Sequence, residues 1–201
     1  DHRDLHSFPT RRSSDLEEND RIEINSYFLV TADRNPHNET VSFILHENKL
    51  ISIRYTSLYT FDEFNRKFFA TPKQFETGYD IFCQILDIRI DADADIIEKL
   101  SKDITRVRKH VLTDYTNEDE EILERISALE DLNMQIRENL NDKQRILSAF
   151  LKSTKYKHAL KHDVTVMLKD IKSLIDYTDF NFERLDYLQN IFVGVLSIEQ
   201  N

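Results

Sequence analysis

The chain has 201 residues, of which 32% are charged, and a formal net charge of −10 at pH 7. It contains only two glycines and three prolines, and this scarcity favours long helices over a loop-rich all-β fold. The acidic balance argues against a nucleic-acid partner, because phosphate binding requires clustered Lys and Arg side chains. No run of roughly 18 apolar residues occurs, so no segment of the sequence is predicted to span a membrane. The single cysteine, Cys83, excludes an internal disulfide and is compatible with a reducing compartment.

The first residues differ from the rest of the chain. Residues 1–16 (DHRDLHSFPTRRSSDL) have neither a helical nor a strand period and no apolar signal-peptide core. They resemble a translated sequencing adapter, so we interpret them as foreign and expect the native N-terminal part to be missing. The remainder divides into a partial α/β domain at 17–72, two long antiparallel helices at 73–154, and a terminal helix at 155–201.

The α/β part is predicted to contain three strands. Residues 21–32 (RIEINSYFLVTA) alternate well enough to form one of them. Segments 40–45 and 49–55 are rich in β-forming residues and flank His46-Glu47-Asn48, which has the composition and spacing of a hairpin turn. We therefore expect a small antiparallel sheet, the remnant of a larger domain.

Helices follow the sheet. A short helix at 61–69 is predicted to be capped by Thr60. A longer helix is predicted to begin at Thr71-Pro72, a cap followed by proline at the first helical position. Its apolar positions recur at helical spacing as far as Val111. Asn117 then caps a third helix with an acidic first turn, which suits the helix dipole.

The third helix and the terminal helix each carry a seven-residue apolar repeat. In the third helix, Asn133 and Lys143 interrupt the repeat, and in the terminal helix Thr178 and Asn181 do so. A helix over the whole of 155–201 would be roughly 70 Å long at about 1.5 Å per residue. The terminal seam comprises Leu160, Val164, Met167, Ile171, Leu174, Leu185, Leu188, Phe192 and Val195. The predicted fold class is α+β, mostly α, with the three long helices arranged up-down-up.

Three alternating aspartates, Asp91, Asp93 and Asp95, resemble the opening of a calcium loop. Such a loop requires glycine at its sixth position and a bidentate glutamate at its twelfth. Here these positions hold Ile96 and Lys102, and the segment lies within a continuous helical pattern. We therefore interpret the aspartates as a solvated acidic helix face.

His158 and His162 are four residues apart on one helix face, a spacing at which two imidazoles can share a zinc ion. No HExxH pair and no third nitrogen or sulfur ligand accompanies them, so an exposed histidine pair is the simpler interpretation. The sequence also contains no glycine-rich phosphate loop and no nucleophile elbow. We do not expect an enzyme.

Asp163 and Asp170 are one heptad apart, and therefore lie on one face of the terminal helix. In a parallel oligomer, each copy would present these carboxylates at the same height as its neighbours. Like charges held together repel unless a cation lies between them, so a divalent ion could join the subunits there. Two solvent-facing aspartates remain the alternative.

Four segments together resemble the CorA family of magnesium transporters. Residues 41–54 (VSFILHENKLISIR) resemble its strand-turn-strand, and residues 80–87 (DIFCQILD) resemble its "LLxxLLD" helix. Residues 145–151 (RILSAFL) resemble the "REVLSxLL" turn before its stalk, and residues 194–201 (GVLSIEQN) resemble the stretch leading into its first transmembrane helix. The resemblance covers roughly residues 21–201.

The resemblance implies the cytoplasmic portion of a homopentameric channel for Mg²⁺, and possibly Co²⁺ or Ni²⁺, in the cell inner membrane. It also implies that intracellular Mg²⁺ bound between subunits holds the pore shut. The family's stalk aspartate matches either Asp163 or Asp170, and Asn201 matches an asparagine at the cytoplasmic end of the pore. A zinc-transporting relative and a soluble coiled-coil scaffold are the alternatives.

Overall fold

The computed structural model describes residues 16–18, 21–31, 35–113, 119–152 and 160–199. They form an antiparallel sheet, one short helix and three long helices, which confirms the predicted fold class. The strands are β1 (Leu16–Glu18), β2 (Arg21–Val30), β3 (His37–His46) and β4 (Lys49–Ile53). The helices are α1 (Tyr59–Ala70), α2 (Gly78–Thr113), α3 (Asp119–Lys152) and α4 (Lys161–Glu199).

The strands pair in chain order, β1-β2-β3-β4. The predicted hairpin is confirmed: β3 pairs with β4 from His46↔Lys49 onwards, and the turn residue Glu47 adopts a left-handed φ of 52°. One face of the sheet is apolar and buried against the helices, because side chains alternate between the two faces of a strand. Its fully or nearly fully buried residues are Ile22, Ile24, Phe28, Val41, Phe43 and Leu45.

Side chains of α2 and α3 occupy the edge of β2 that β1 leaves open, since β1 pairs only as far as Glu23. Asp142 accepts a hydrogen bond from the Tyr27 amide at 2.9 Å, and Lys143 donates to the Tyr27 carbonyl at 2.5 Å. Arg89 donates to the Leu29 carbonyl at 3.2 Å. An unpaired strand edge is costly when it is buried, so these charged groups take the place of a neighbouring strand.

Two predicted helix starts are wrong. Thr60 does not cap α1, because the helix begins at Tyr59, two residues before the predicted start, and Thr60 is buried inside its first turn. Thr71-Pro72 opens only a short 3₁₀ turn, and the long helix starts at Gly78. The intervening residues bring Phe75 onto the aromatic face of α1, where its ring centroid lies 5.5 Å from that of Phe64.

The three long helices pack on one another as a bundle. The predicted seams are confirmed, including their polar members: Asn133, Lys143, Thr178 and Asn181 are all fully buried. Leu174 is the one apolar seam residue of α4 before Thr178 that is only partly buried. The predicted start of the terminal helix at 155 and the predicted Asn117 cap lie outside the described residues. Within them, α4 begins at Lys161.

Candidate metal-binding cleft

The first turns of α2 and α4 border a cleft of about 470 Å³. Its lining includes three carboxylates, from Asp80 and Asp87 on α2 and from Asp163 on α4. The cleft is also lined by Gln74, Phe75, Cys83, Gln84, Leu160, His162, Val166 and Met167. Oxygen ligands of this kind suit hard divalent cations such as Mg²⁺ and Ca²⁺.

Asp80 is held in place by the start of α2. Its Oδ2 accepts hydrogen bonds from the Thr77 amide at 2.7 Å and from the Glu76 amide at 3.1 Å. In return, the Thr77 hydroxyl accepts a hydrogen bond from the Asp80 amide at 3.3 Å. This reciprocal arrangement is a capping box, in which the carboxylate satisfies amides that the helix leaves free. Asp80 therefore fixes one wall of the cleft and has less capacity for an ion.

Of the two α2 carboxylates that line the cleft, Asp87 is the more available for binding a metal ion, because Asp80 caps the helix. Partial burial raises its pKa, and the carboxylates of Asp91 and Asp163 raise it further, against a hydrogen bond from Gln84 at 3.1 Å and the charge of Lys67. Burial and the neighbouring negative charges both disfavour the ionised form of the Asp87 carboxylate when no cation is bound. A cation bound between Asp87 and Asp163 would remove the repulsion between them.

The thiol of Cys83 is also affected by the negative charges around the cleft. Burial raises the pKa of its thiol to about 12, and the charges of Asp163, Asp80 and Asp87 add to the shift. The thiolate, which is the nucleophile and the metal ligand, is therefore strongly disfavoured. Cys83 is a buried packing residue that lines the cleft.

The two predicted metal ligands of α4 are in different surroundings. Both are exposed, but Asp163 lines the cleft, whereas Asp170, one heptad further along, lies outside it. His162 also lines the cleft, while His158 and Asn201 lie outside the described residues. Asp87 was missed by the sequence reasoning. The available signal was the seven-residue spacing of Asp80 and Asp87, which places them on one helix face as it does Asp163 and Asp170.

The predicted acidic face of α2 is confirmed for Asp91 and Asp95, which are exposed, and wrong for Asp93. Asp93 is fully buried and accepts a 2.5 Å hydrogen bond from Arg89, itself only 4% exposed. It occupies the position of the α2 seam midway between Ile90 and Ile97. Burial raises the pKa of Asp93, against the charges of Arg89 and Lys143.

The described residues of one chain do not supply a complete set of metal ligands at the cleft. Across the described residues, no group of three or more His, Cys, Asp or Glu side chains is arranged to bind a metal ion. Nor does any helix in the described part of the chain have the length and apolarity needed to cross a membrane. A metal ion in this cleft would therefore need ligands beyond those that the described residues of one chain supply there.

A family model described as "CorA-like Mg2+ transporter protein" matches residues 8–201. This chain belongs to the CorA family. The magnesium transport protein CorA of Wolinella succinogenes is 42% identical over 190 residues, which cover 92% of this chain and 59% of that protein. The chain thus spans about three fifths of the length of this curated relative.

Solved structures of CorA-like proteins share the fold at low sequence identity. The complete CorA magnesium transporter of Methanocaldococcus jannaschii superimposes with a TM-score of 0.81 at 16% identity, covering 92% of this chain and 59% of that one. The ZntB cytoplasmic domain of Vibrio parahaemolyticus superimposes with a TM-score of 0.72 at 12% identity, covering 92% of this chain and 72% of that one. The fold is therefore common to proteins with different names, and it does not by itself identify an ion.

Proposed function

We propose that this chain is the cytoplasmic regulatory and stalk portion of a pentameric CorA-type Mg²⁺ transporter in the inner membrane, in which Mg²⁺ bound between subunits favours the closed state. The observation that carries the proposal is the position of Asp163, a stalk aspartate, in an acidic cleft beside Asp87. The relatives named as magnesium transport proteins support Mg²⁺ as the transported ion. Co²⁺ and Ni²⁺ are further candidate substrates.

A second stripe on α4 supports assembly. The seam that faces α2 and α3 is buried within one chain, but another set of positions with alternating steps of three and four residues lies largely at the surface. Arg184 and Ile191 are its half-buried members. Asp163 and Asp170 belong to this stripe, and so do several large apolar side chains. These are Val166, Tyr177, Phe180, Tyr187 and Ile198, which are 44%, 56%, 52%, 57% and 78% exposed.

Apolar side chains that recur along one helix face are typical of a helix that packs on a partner. Packing of this stripe against the next subunit would bring carboxylates of neighbouring chains near Asp163 and Asp170. Their repulsion would oppose assembly in the absence of a divalent cation. Mg²⁺ that binds only the assembled, closed arrangement would stabilise it by mass action.

The test measures molar mass by light scattering and the melting temperature of the chain in Mg²⁺, with Ca²⁺, Zn²⁺ and ionic-strength controls. At a Mg²⁺ concentration of ten times Kd, stabilisation of about 1.4 kcal/mol is expected. For a chain of this size this corresponds to a rise in Tm of roughly 3–6 °C. A larger response to Zn²⁺ than to Mg²⁺ would favour the zinc-transporting alternative instead.

Three charge-neutralising variants locate the site. Asp163→Asn and Asp87→Asn should each remove most of the Mg²⁺ response, and Asp170→Asn should weaken Mg²⁺-dependent assembly. Asp176→Asn is the matched control, because Asp176 is exposed on α4 and lies outside both the seam and the stripe. An equal Mg²⁺ response in Asp163→Asn and the control would contradict the proposed site. Transport is tested separately by Mg²⁺ uptake with the complete gene product.

A further inference from the structure

The helical bundle contains two clusters of buried apolar residues, which we call the first and second cores. The buried residues of the first core, which joins the sheet to the bundle, end on α4 at Ile171, and Leu174 and Ile175 pack partly buried against it. The buried residues of the second core begin on α4 at Leu185. On α3 the buried apolar residues stop at Ile136 and resume at Ile126, and between them Leu132 is partly buried against both cores. On α2, by contrast, buried apolar residues continue without a gap. The division between the cores therefore lies along the contact of α3 with α4.

The fully buried positions between the two cores are polar: Asn133 of α3, and Thr178 and Asn181 of α4, all with no exposed surface. We call them the polar layer. Asn133 donates from Nδ2 to the Thr178 carbonyl at 2.9 Å, while its own Oδ1 has no partner within the described structure. The Nδ2 of Asn181 likewise has no partner there. The contact between the two helices at this level is thus incompletely hydrogen-bonded.

The polar layer also competes for the backbone carbonyls of α4. The Thr178 hydroxyl donates a hydrogen bond to the carbonyl of Ile175 at 2.7 Å, and the carbonyl of Thr178 accepts one from the Asn133 side chain. Side chains that bond to helical carbonyls in this way offer an alternative to the regular backbone ladder, and they often bend helices. Two carbonyls within one turn of α4 are affected.

Arg184 holds α4 on its other side, against α2. Its guanidinium donates to the Ser101 hydroxyl at 2.6 Å, to the Ser101 carbonyl at 3.2 Å and to the Thr105 hydroxyl at 2.7 Å. It also approaches Asn181 Oδ1 at 3.4 Å. Hydrogen bonds can be exchanged for bonds to water at small net cost, whereas exposing an apolar core carries a cost that grows with its area.

We propose that the polar layer is a joint in the bundle, at which residues 175–184 of α4 open and bend more readily than the segments on either side. The joint lies between the acidic cleft at the start of α4 and the far end of the same helix. It allows the part of α4 around Leu188 to move relative to the part of α4 in the sheet-bearing half, while most buried apolar contacts of each core are kept. The joint does not depend on magnesium binding.

Hydrogen exchange of the whole chain, followed by NMR or by overlapping peptides, tests the joint. We expect amides of residues 176–184 to exchange at least tenfold faster than those of 164–171 and 185–192. Protection that is uniform across these three segments would overturn the proposal.

Variants separate a joint from ordinary helix stability. The double substitution Asn133→Leu with Asn181→Leu converts the layer into an apolar seam, and it should slow exchange of residues 176–184 at least tenfold, towards the flanking values. Thr178→Val is a milder, nearly isosteric change that should slow exchange in the same segment if the double variant does not fold. Asn190→Leu is the matched control, since Asn190 is exposed on α4, and should leave this segment unchanged. A folded layer variant without slower exchange would refute the joint.

Discussion

The two glycines of the chain should respond in opposite ways to alanine. Gly78 is the first residue of α2, and its amide donates a 2.8 Å hydrogen bond to the Asn48 carbonyl in the β3–β4 turn. A Cβ at Gly78 would lie 2.6 Å from the Lys49 carbonyl carbon and 2.7 Å from the Leu50 amide nitrogen. Both are backbone atoms, so the whole turn would have to move. At Gly194, in contrast, a Cβ would meet no atom within 4 Å.

Overpacking of this kind typically costs about 1–3 kcal/mol, so Gly78→Ala should lower Tm by roughly 2–12 °C. Gly194→Ala removes an exposed glycine from a helix interior and should stabilise the chain by up to about 1 kcal/mol. Thermal and urea denaturation followed by circular dichroism would measure both changes. If Gly78→Ala were as stable as the unsubstituted chain, the close contact between α2 and the turn would be refuted.

Two further predictions concern buried or partly buried carboxylates. Asp93→Ala leaves the Arg89 guanidinium buried without its carboxylate partner, so the free energy of unfolding measured in urea should fall by about 3–5 kcal/mol. The exposed control Asp91→Ala should change the free energy of unfolding by less than about 0.5 kcal/mol. Equal losses from the two substitutions would contradict the burial of Asp93. The pKa of Asp87 is raised in the folded state, so the folded chain holds this proton more tightly, and the residue's contribution to stability falls as pH rises from its unfolded to its folded pKa. Asp87→Asn should therefore be more stable than the unsubstituted chain at pH 7 without divalent ions, and the difference should disappear below about pH 4, near the unfolded value. A difference that persisted unchanged in acid would exclude titration of Asp87 as its cause.

The buried seams of the long helices could be predicted because a local repeat in the sequence determines which residues share a helix face. A heptad pattern requires only that similar residues recur, and polar members such as Asn133 and Thr178 were placed correctly because their apolar neighbours kept the repeat in phase. The same reasoning failed for Asp93, although it occupies a seam position. Its burial depends on Arg89, which also donates to the Leu29 carbonyl of a distant strand, and no local pattern contains that contact.

The start of α2 and the cleft were harder to predict for the same reason. Thr71-Pro72 has the local signature of a helix start, but the start at Gly78 is set by the approach to the β3–β4 turn and by packing of Phe75. Asp163 could be selected from its place on the terminal helix. Asp87 could not, because its proximity to Asp163 depends on how α2 and α4 align in the bundle.

The two faces of α4 explain why one chain gives only part of the proposed function. Its seam is satisfied within the chain, since Val164, Leu185 and Phe192 are buried by α2 and α3. Its second stripe combines exposed apolar side chains, which favour a partner, with Asp163 and Asp170, which oppose a partner of the same charge. Burial of the stripe and occupancy of the cleft by a divalent ion should therefore be coupled, because each lowers the cost of the other. Mg²⁺ should bind more tightly as protein concentration rises, and the Mg²⁺ concentration needed for half-maximal assembly should fall correspondingly. Mg²⁺ affinity that did not change across a hundredfold range of protein concentration would show that the two events are independent.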